Sequence, residues 1–225
     1  VFVLDPYFFA PKRAQGIPHR IQYLLDALTS LAKNIENLGG QLIVLKGKSI
    51  DLIPRYAKEW RVDQVVAHRW TEPLGRERDQ RIQASLEVPF VLYEGELLHP
   101  PGRIRTKANT PFAVFTPFSR AFHKASRIDV PLSSPKQIPP PDDRAIKENE
   151  EIPSLKDLGI VRNPRLIAGG EHAARQRLHR FLQDAVSDYD SGRDQMGLSA
   201  TSRLSADLKF GTISVYDKYN LSLLK

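Results

Sequence analysis

Three hydroxyls and one guanidinium fall within five residues at Thr201, Ser202, Arg203 and Ser205, with Leu204 between them. Hydroxyl donors, backbone amides at a helix start and a nearby cation are the groups that hold a phosphate or diphosphate. A simple helix cap uses one hydroxyl, so three exceed that need. Tyr189 and Arg193 precede the run, and Lys-Phe-Gly-Thr-Ile-Ser (Lys209 to Ser214) follows it. From spacing alone, Tyr189 is either a core tyrosine or a ligand contact. Arg193 and Arg203 are either solvated charges or phosphate partners.

Something must position these groups. After Gly170, Ala174, Leu178, Phe181, Leu182, Ala185 and Tyr189 recur at helical spacing and predict one amphipathic helix. A short helix is expected to open at Ser205. Further upstream, strands and helices alternate. Val1 to Leu4, Gln41 to Leu45, Gln64 to Ala67 and Pro89 to Tyr93 read as strands. His19 to Leu38 is the clearest helix, with Ile21, Leu24, Leu25, Leu28, Leu31, Ile35 and Leu38 on one face. A second helix is expected from Ser49, acting as N-cap. A third spans Arg76 to Leu86, and a fourth follows Thr116-Pro117 over Phe118 to Ala125.

This alternation predicts an α/β fold with one parallel, Rossmann-like sheet covered by helices on both faces. Ligands of such sheets lie beyond the carboxyl ends of the strands. The loops after Leu4, Leu45 and Ala67 are therefore candidates, and the last is the richest: His68, Arg69, Trp70, Glu72, Arg76. Gly47-Lys48-Ser49 lacks the earlier glycine of a phosphate loop. Phe112, Phe115 and Phe118 read as packing residues. The prolines at 131, 135, 139–141 and 153 mark a connector that wraps the surface.

The chain has 225 residues, a net charge of +7 and no cysteine, which excludes disulfides and thiolate–metal sites. Its histidines are scattered, so no metal site is expected. The charge suits either a polyanionic partner or an ordinary soluble surface. No apolar run approaches the ~18 residues of a membrane span, and no signal peptide is visible, so a cytoplasmic location is expected. The opening on Val1 rather than methionine looks like a piece of something longer.

Together these segments resemble the DNA photolyase/cryptochrome family, and within it the class I-like deoxyribodipyrimidine photolyases. Val-Phe-Val-Leu-Asp-Pro at the start is similar to the family's second sheet strand. Glu72-Pro73 with Gly75 to Asp79 is similar to a loop of its antenna domain, and Phe112 to Arg120 to that domain's end. Tyr189 to Ser214 resembles its first flavin-contacting segment.

The resemblance implies an antenna domain over 1–126, a connector over 127–168 and the beginning of a helical FAD-binding domain over 169–225. It implies FAD held through Tyr189, Thr201, Ser202, Arg203, Leu204 and Ser205, with Arg193 facing the backbone of damaged DNA. Light-driven splitting of cyclobutane pyrimidine dimers by a monomer is the activity it implies. An antenna chromophore is also implied, whether folate, deazaflavin or flavin; Leu74 and Gly75 stand where some folate-binding members carry Asn-Glu.

The family's first strand, with its Phe-Arg-x-Asp-Leu-Arg run, has no counterpart here, so a gap between neighbouring strands is expected. The flavin domain breaks off after its first motif, and Val215 to Lys225 match the family poorly. The 225-residue chain is therefore expected to be catalytically silent. A cryptochrome-type photoreceptor and a non-catalytic chromophore-binding α/β module remain the alternatives.

Overall fold

A computed structural model describes residues 1–95, 97–125 and 132–216. The junction between the expected antenna domain and connector, Pro131 in the connector, and most of the Val215 to Lys225 tail lie outside the described residues.

The first half alternates as the sequence predicts. Strand β1 (Phe2–Leu4) leads through two short helices, α1 (Pro6–Phe9) and α2 (Pro11–Gly16), into the long α3 (Pro18–Asn37). Then come β2 (Val44–Lys46), α4 (Ser49–Glu59), β3 (Val65–His68), α5 (Pro73–Ser85) and β4 (Phe90–Tyr93). Both strand pairings are parallel, β1 with β2 and β3 with β4. Among the described residues they form two separate two-stranded sheets, in keeping with the expected gap between neighbouring strands.

Two helix starts differ in detail from expectation. Ser49 is the first helical residue of α4 and not its cap. Its amide and its Oγ both donate to Asp5 Oδ2, each at 2.8 Å, so its hydroxyl ties two loops together. Helix α6 (Phe115–Lys124) begins one residue before Thr116, with Val114 at the cap position. Phe112 and Phe118 meet edge-on at 6.1 Å, but Phe115 is 76% exposed. The apolar face of α3 also thins toward its end, where Leu31 is largely exposed.

The proline-rich connector is more than a spacer. Its short helix α7 (Asp143–Ile146) buries Ala145 against Ile43, Leu45 and Tyr56. Leu158 and Ile160 enter a core with Ala14, Ile21 and Leu25. Along the outer edge of β2, Asn149 Oδ1 accepts the Val44 amide at 2.7 Å, and the Glu150 amide donates to the Val44 carbonyl at 2.8 Å. A strand edge otherwise open to water is thereby closed.

The last part is helical: α8 (Glu171–Asp184), α9 (Tyr189–Gly192) and α10 (Ser205–Phe210). Ala174, Leu178 and Leu182 of α8 pack against Leu204 and Ile213. The predicted single helical face running to Tyr189 is interrupted. Helix α8 ends before Ala185, whose φ of −135° is not helical, and Tyr189 opens the separate α9.

Tyr23, buried on α3, joins the two parts through its hydroxyl, 2.6 Å from Asp207 Oδ1. Burial and the adjacent Asp207 carboxylate push its pKa from 10.0 up to about 12. Below pH 10 the phenol is protonated in both folded and unfolded chains, and its contribution is fully present. Between about 10 and about 12 only the unfolded chain ionises, so stability falls by about 3 kcal/mol as pH rises. Urea midpoints measured across that range should show the fall, and Tyr23→Phe should flatten it.

Candidate functional site

The segment Thr201 to Ser205 is shaped from beneath. Leu204 is only 1% exposed, so its side chain belongs to the core and leaves only its backbone to face a ligand. Arg203, at φ 51°, turns the chain in the left-handed region just before α10. Thr201, Arg203 and Ser205 are exposed and Ser202 is half-buried. Among the described residues, the Thr201, Ser202 and Ser205 hydroxyls have no hydrogen-bond partner, and the Arg203 guanidinium has no ion pair. Four donors are thus presented outward from a fixed base.

That base is anchored at Asp207, which is completely buried. Arg177 of α8 reaches it with two nitrogens: Nε donates to Oδ2 at 3.0 Å, and Nη2 donates to Oδ1. Tyr23 and Thr212 add hydroxyl donors to Oδ1 at 2.6 and 3.1 Å. Sequence reasoning missed Asp207. Its only local signal is an acid between Leu204 and Leu208, and its partners lie 30 and 184 residues away.

Tyr189 packs edge-on against Phe181 at 5.9 Å, and Arg193 stands over its ring at 5.8 Å. Arg193 is half-exposed, with only long contacts to Asp190 and Asp194 at 3.7 and 3.8 Å. Gly192, between them, lies against Ala200, just before Thr201: a Cβ there would stand 2.6 Å from the Ala200 Cβ.

A second concavity lies where the loops after β1, β2 and β3 meet. It encloses about 470 Å³, with Asp5, Lys48, Ser49, Trp70, Leu74 and Arg78 among its walls. Burial works to raise the Asp5 pKa, but hydrogen bonds from the Ser49 and Tyr7 amides and the Ser49 hydroxyl outweigh it and hold it low. The Trp70 ring carries Arg78 at 5.0 Å and Lys209 at 5.6 Å, while its buried Nε1 has no partner among the described residues. Glu72 of the same loop pairs with Lys209 of α10 at 2.7 Å. The loop singled out as a ligand loop therefore also fastens α10 to the α/β part.

The family model for DNA photolyase matches residues 1–141. The chain belongs to the DNA photolyase family. An uncharacterized 31.6 kDa protein of Synechococcus sp. (strain PCC 6716) is 34% identical over 96% of this chain and 76% of its own length. The deoxyribodipyrimidine photo-lyase of another Synechococcus strain is 32% identical, over 96% of this chain and 46% of that photolyase. Cryptochrome-2 of Gallus gallus is 30% identical over 95% of this chain and 39% of its own length.

Among solved structures, the bacterial class III photolyase of Agrobacterium tumefaciens superposes with a TM-score of 0.76 at 27% identity, covering 90% of this chain and 43% of that one. The chain thus has the photolyase α/β fold and spans a little under half the length of the photolyases it matches. Among the described residues no helix is long and apolar enough to cross a membrane, and no group of metal-ligating side chains is found.

Proposed function

We propose that this chain supplies the α/β antenna part and the first flavin-contacting segment of a light-dependent DNA-repair enzyme acting on cyclobutane pyrimidine dimers. The observation that carries this reading is the set of unpartnered donors at Thr201, Ser202, Arg203 and Ser205, held on a buried base in a photolyase-family chain. Their chemistry fits the diphosphate of FAD: hydroxyls donate to its oxygens and the guanidinium balances its charge. When bound, FAD supplies the light-driven electron transfer to the dimer.

Around the diphosphate, Tyr189 borders the site as an aromatic wall. Arg193 projects its charge outward from that wall, where it can neutralise a DNA phosphate without reading a base. The concavity beyond the strand ends suits a light-harvesting chromophore, whether folate, deazaflavin or flavin, with Trp70 Nε1 as a donor. A blue-light photoreceptor is the second reading, favoured by the cryptochrome similarity.

FAD binding tests the first claim. The purified chain, mixed with FAD and gel-filtered, should retain flavin absorption. The double variant Thr201→Ala, Ser205→Ala should bind about thirtyfold more weakly, from two lost hydrogen bonds of about 1 kcal/mol each. Arg193→Ala should leave flavin binding intact. It should weaken binding of dimer-containing DNA and lower the salt slope by about 1. If no flavin is retained, the site reading fails. Expressed from its full reading frame, the protein should remove dimers under blue light; flavin retention without dimer loss would favour the photoreceptor.

A further inference from the structure

Charge is spread unevenly along this chain. Residues 97–124 carry Arg103, Arg105, Lys107, Arg120 and Lys124 and neither Asp nor Glu. Five of the chain's +7 therefore lie in this one stretch, and the rest is close to balanced. All five cations are exposed, and among the described residues none of them has an ion pair. Elsewhere Arg55, Lys58, Arg69, Arg144 and Arg162 each hold a carboxylate oxygen within 2.8 Å.

The fold fixes where these charges stand. Arg105 donates Nε to the Gly102 carbonyl at 2.8 Å and Nη1 to the Asn109 carbonyl at 3.0 Å, which staples the loop between them. Neutral carbonyls satisfy its donors without cancelling its charge. The Thr106 amide donates to the Thr110 carbonyl at 2.9 Å, and the two hydroxyls lie 2.8 Å apart. Lys107 occupies the turn that the Asn109 amide closes on the Thr106 carbonyl. On α6, Arg120 and Lys124 are four residues apart and share one face. Arg103 lies close to the seat of that helix, because its charge acts on His99. The His99 ring is 7% exposed and meets Phe122 of α6 edge-on at 4.7 Å. Burial and the Arg103 charge hold the His99 pKa below its ordinary value.

An aromatic ring stands in water within the same stretch. Phe118 turns inward, to Phe112 at 6.1 Å and to Phe122 at 5.9 Å. Phe115, at the start of α6, is 76% exposed, beside Val114 at 62%. A nucleic-acid duplex offers phosphates but keeps its base faces stacked, so it would leave this ring in water. A lipid surface takes a helix that turns a broad apolar face outward, whereas Phe118 and Phe122 face the protein. An unstacked base offers Phe115 a flat apolar face, and its backbone offers the cations phosphates.

We propose that the 102–110 loop and helix α6 form a binding surface for single-stranded nucleic acid, in which Phe115 stacks on a base and Arg103, Lys107, Arg120 and Lys124 pair with phosphates. Arg105 is a positioning residue that holds the loop in shape. The residues of this surface are distinct from Arg193 and from the donors at Thr201 to Ser205, and the surface needs neither a flavin nor a damaged base. Every base has a stacking face, so binding tolerates any sequence. Phosphate pairing releases counterions, so binding weakens as salt rises.

The probe is an undamaged oligodeoxythymidylate of about 12 nucleotides, added in the dark without flavin. Saturable binding is expected, with log affinity falling against log salt at a slope of about −3 for four phosphate contacts. Phe115→Ala should bind about tenfold more weakly at an unchanged slope, and Phe115→Trp should restore binding. The double variant Arg103→Gln, Lys107→Gln should reduce the slope by about 1.4. The His99 ring, followed by NMR, should titrate at higher pH with the strand bound, because phosphate offsets the Arg103 charge. Arg193→Ala should bind this undamaged strand as the unaltered chain does, which separates failure here from failure of the damaged-DNA reading. Equal binding by Phe115→Ala, equal affinity for a duplex of the same length, binding to phosphatidylserine vesicles in place of the strand, an unmoved His99 titration, or loss of binding in Arg193→Ala would each overturn the proposal.

Discussion

Asp207→Ala is expected to destabilise the chain by about 3–5 kcal/mol, because it strips the partner from a buried charge. Asp207 is fully buried, and the Arg177 side chain keeps only 16% of its exposure. Removing the carboxylate leaves the Arg177 guanidinium without a counter-charge. It also leaves the Tyr23 hydroxyl, 2.6 Å from the lost oxygen, without its acid acceptor.

The lost pairing holds α3, α8 and α10 together, so the damage extends beyond one contact. Urea unfolding at neutral pH should show the midpoint fall. Asp207→Asn keeps the shape and some hydrogen bonds but loses the charge, and should fall between wild type and alanine. The double variant Arg177→Met, Asp207→Leu should recover much of the loss, since replacing a whole buried ion pair by apolar groups is often near neutral. A loss below about 1 kcal/mol for Asp207→Ala would show that the pair contributes little beyond its own desolvation. Ser205 lies two residues from Asp207, so FAD retention should fall with the midpoint.

None of that network is legible in the sequence, and the reason is physical. Periodicity reports which side of an element is apolar; it does not report which distant element covers it. The helix at α3 is readable because Ile21, Leu25 and Leu28 repeat on one side over about two turns. Its buried Tyr23 reads as one more core aromatic until the structure places Asp207 against it.

The break after Asp184 is hidden for a related reason. Phe181, Ala185 and Tyr189 keep a spacing of four across it, and the edge contact of Phe181 with Tyr189 preserves the apolar neighbourhood without a continuous helix. Leu158 and Ile160 lie in a stretch without periodicity, so nothing local marks them as core. The hydroxyl run at Thr201 to Ser205 was legible because it exceeds what a cap needs. The burial of Leu204 within it was not, because one leucine among polar residues carries no period.

Gly169→Ala should be the second large effect. A Cβ at this position would stand 2.4 Å from the Tyr23 carbonyl oxygen and 3.1 Å from the Ala27 amide nitrogen. Both are backbone atoms in the middle of α3, so no side chain can rotate aside. The segment leading into α8 must lift off α3, at a cost typical of overpacking, about 1–3 kcal/mol. In a chain of this size that is a fall in melting temperature of about 2–4 °C per kcal/mol.

The lift acts on the start of α8, six residues before Arg177 at Glu171, so the reach of Arg177 to Asp207 and of Asp207 to Tyr23 should loosen as well. Tyr23 should then titrate closer to pH 10, and the alkaline loss of stability should still begin near pH 10 but be smaller and end sooner. Gly197→Ala is the matched control, because a Cβ there meets nothing within 4 Å. If Gly169→Ala melts and titrates like Gly197→Ala, the close approach at Tyr23 does not set the seat of α8, and the coupling between the α/β part and the donor loop runs through Lys209 and Glu72 instead.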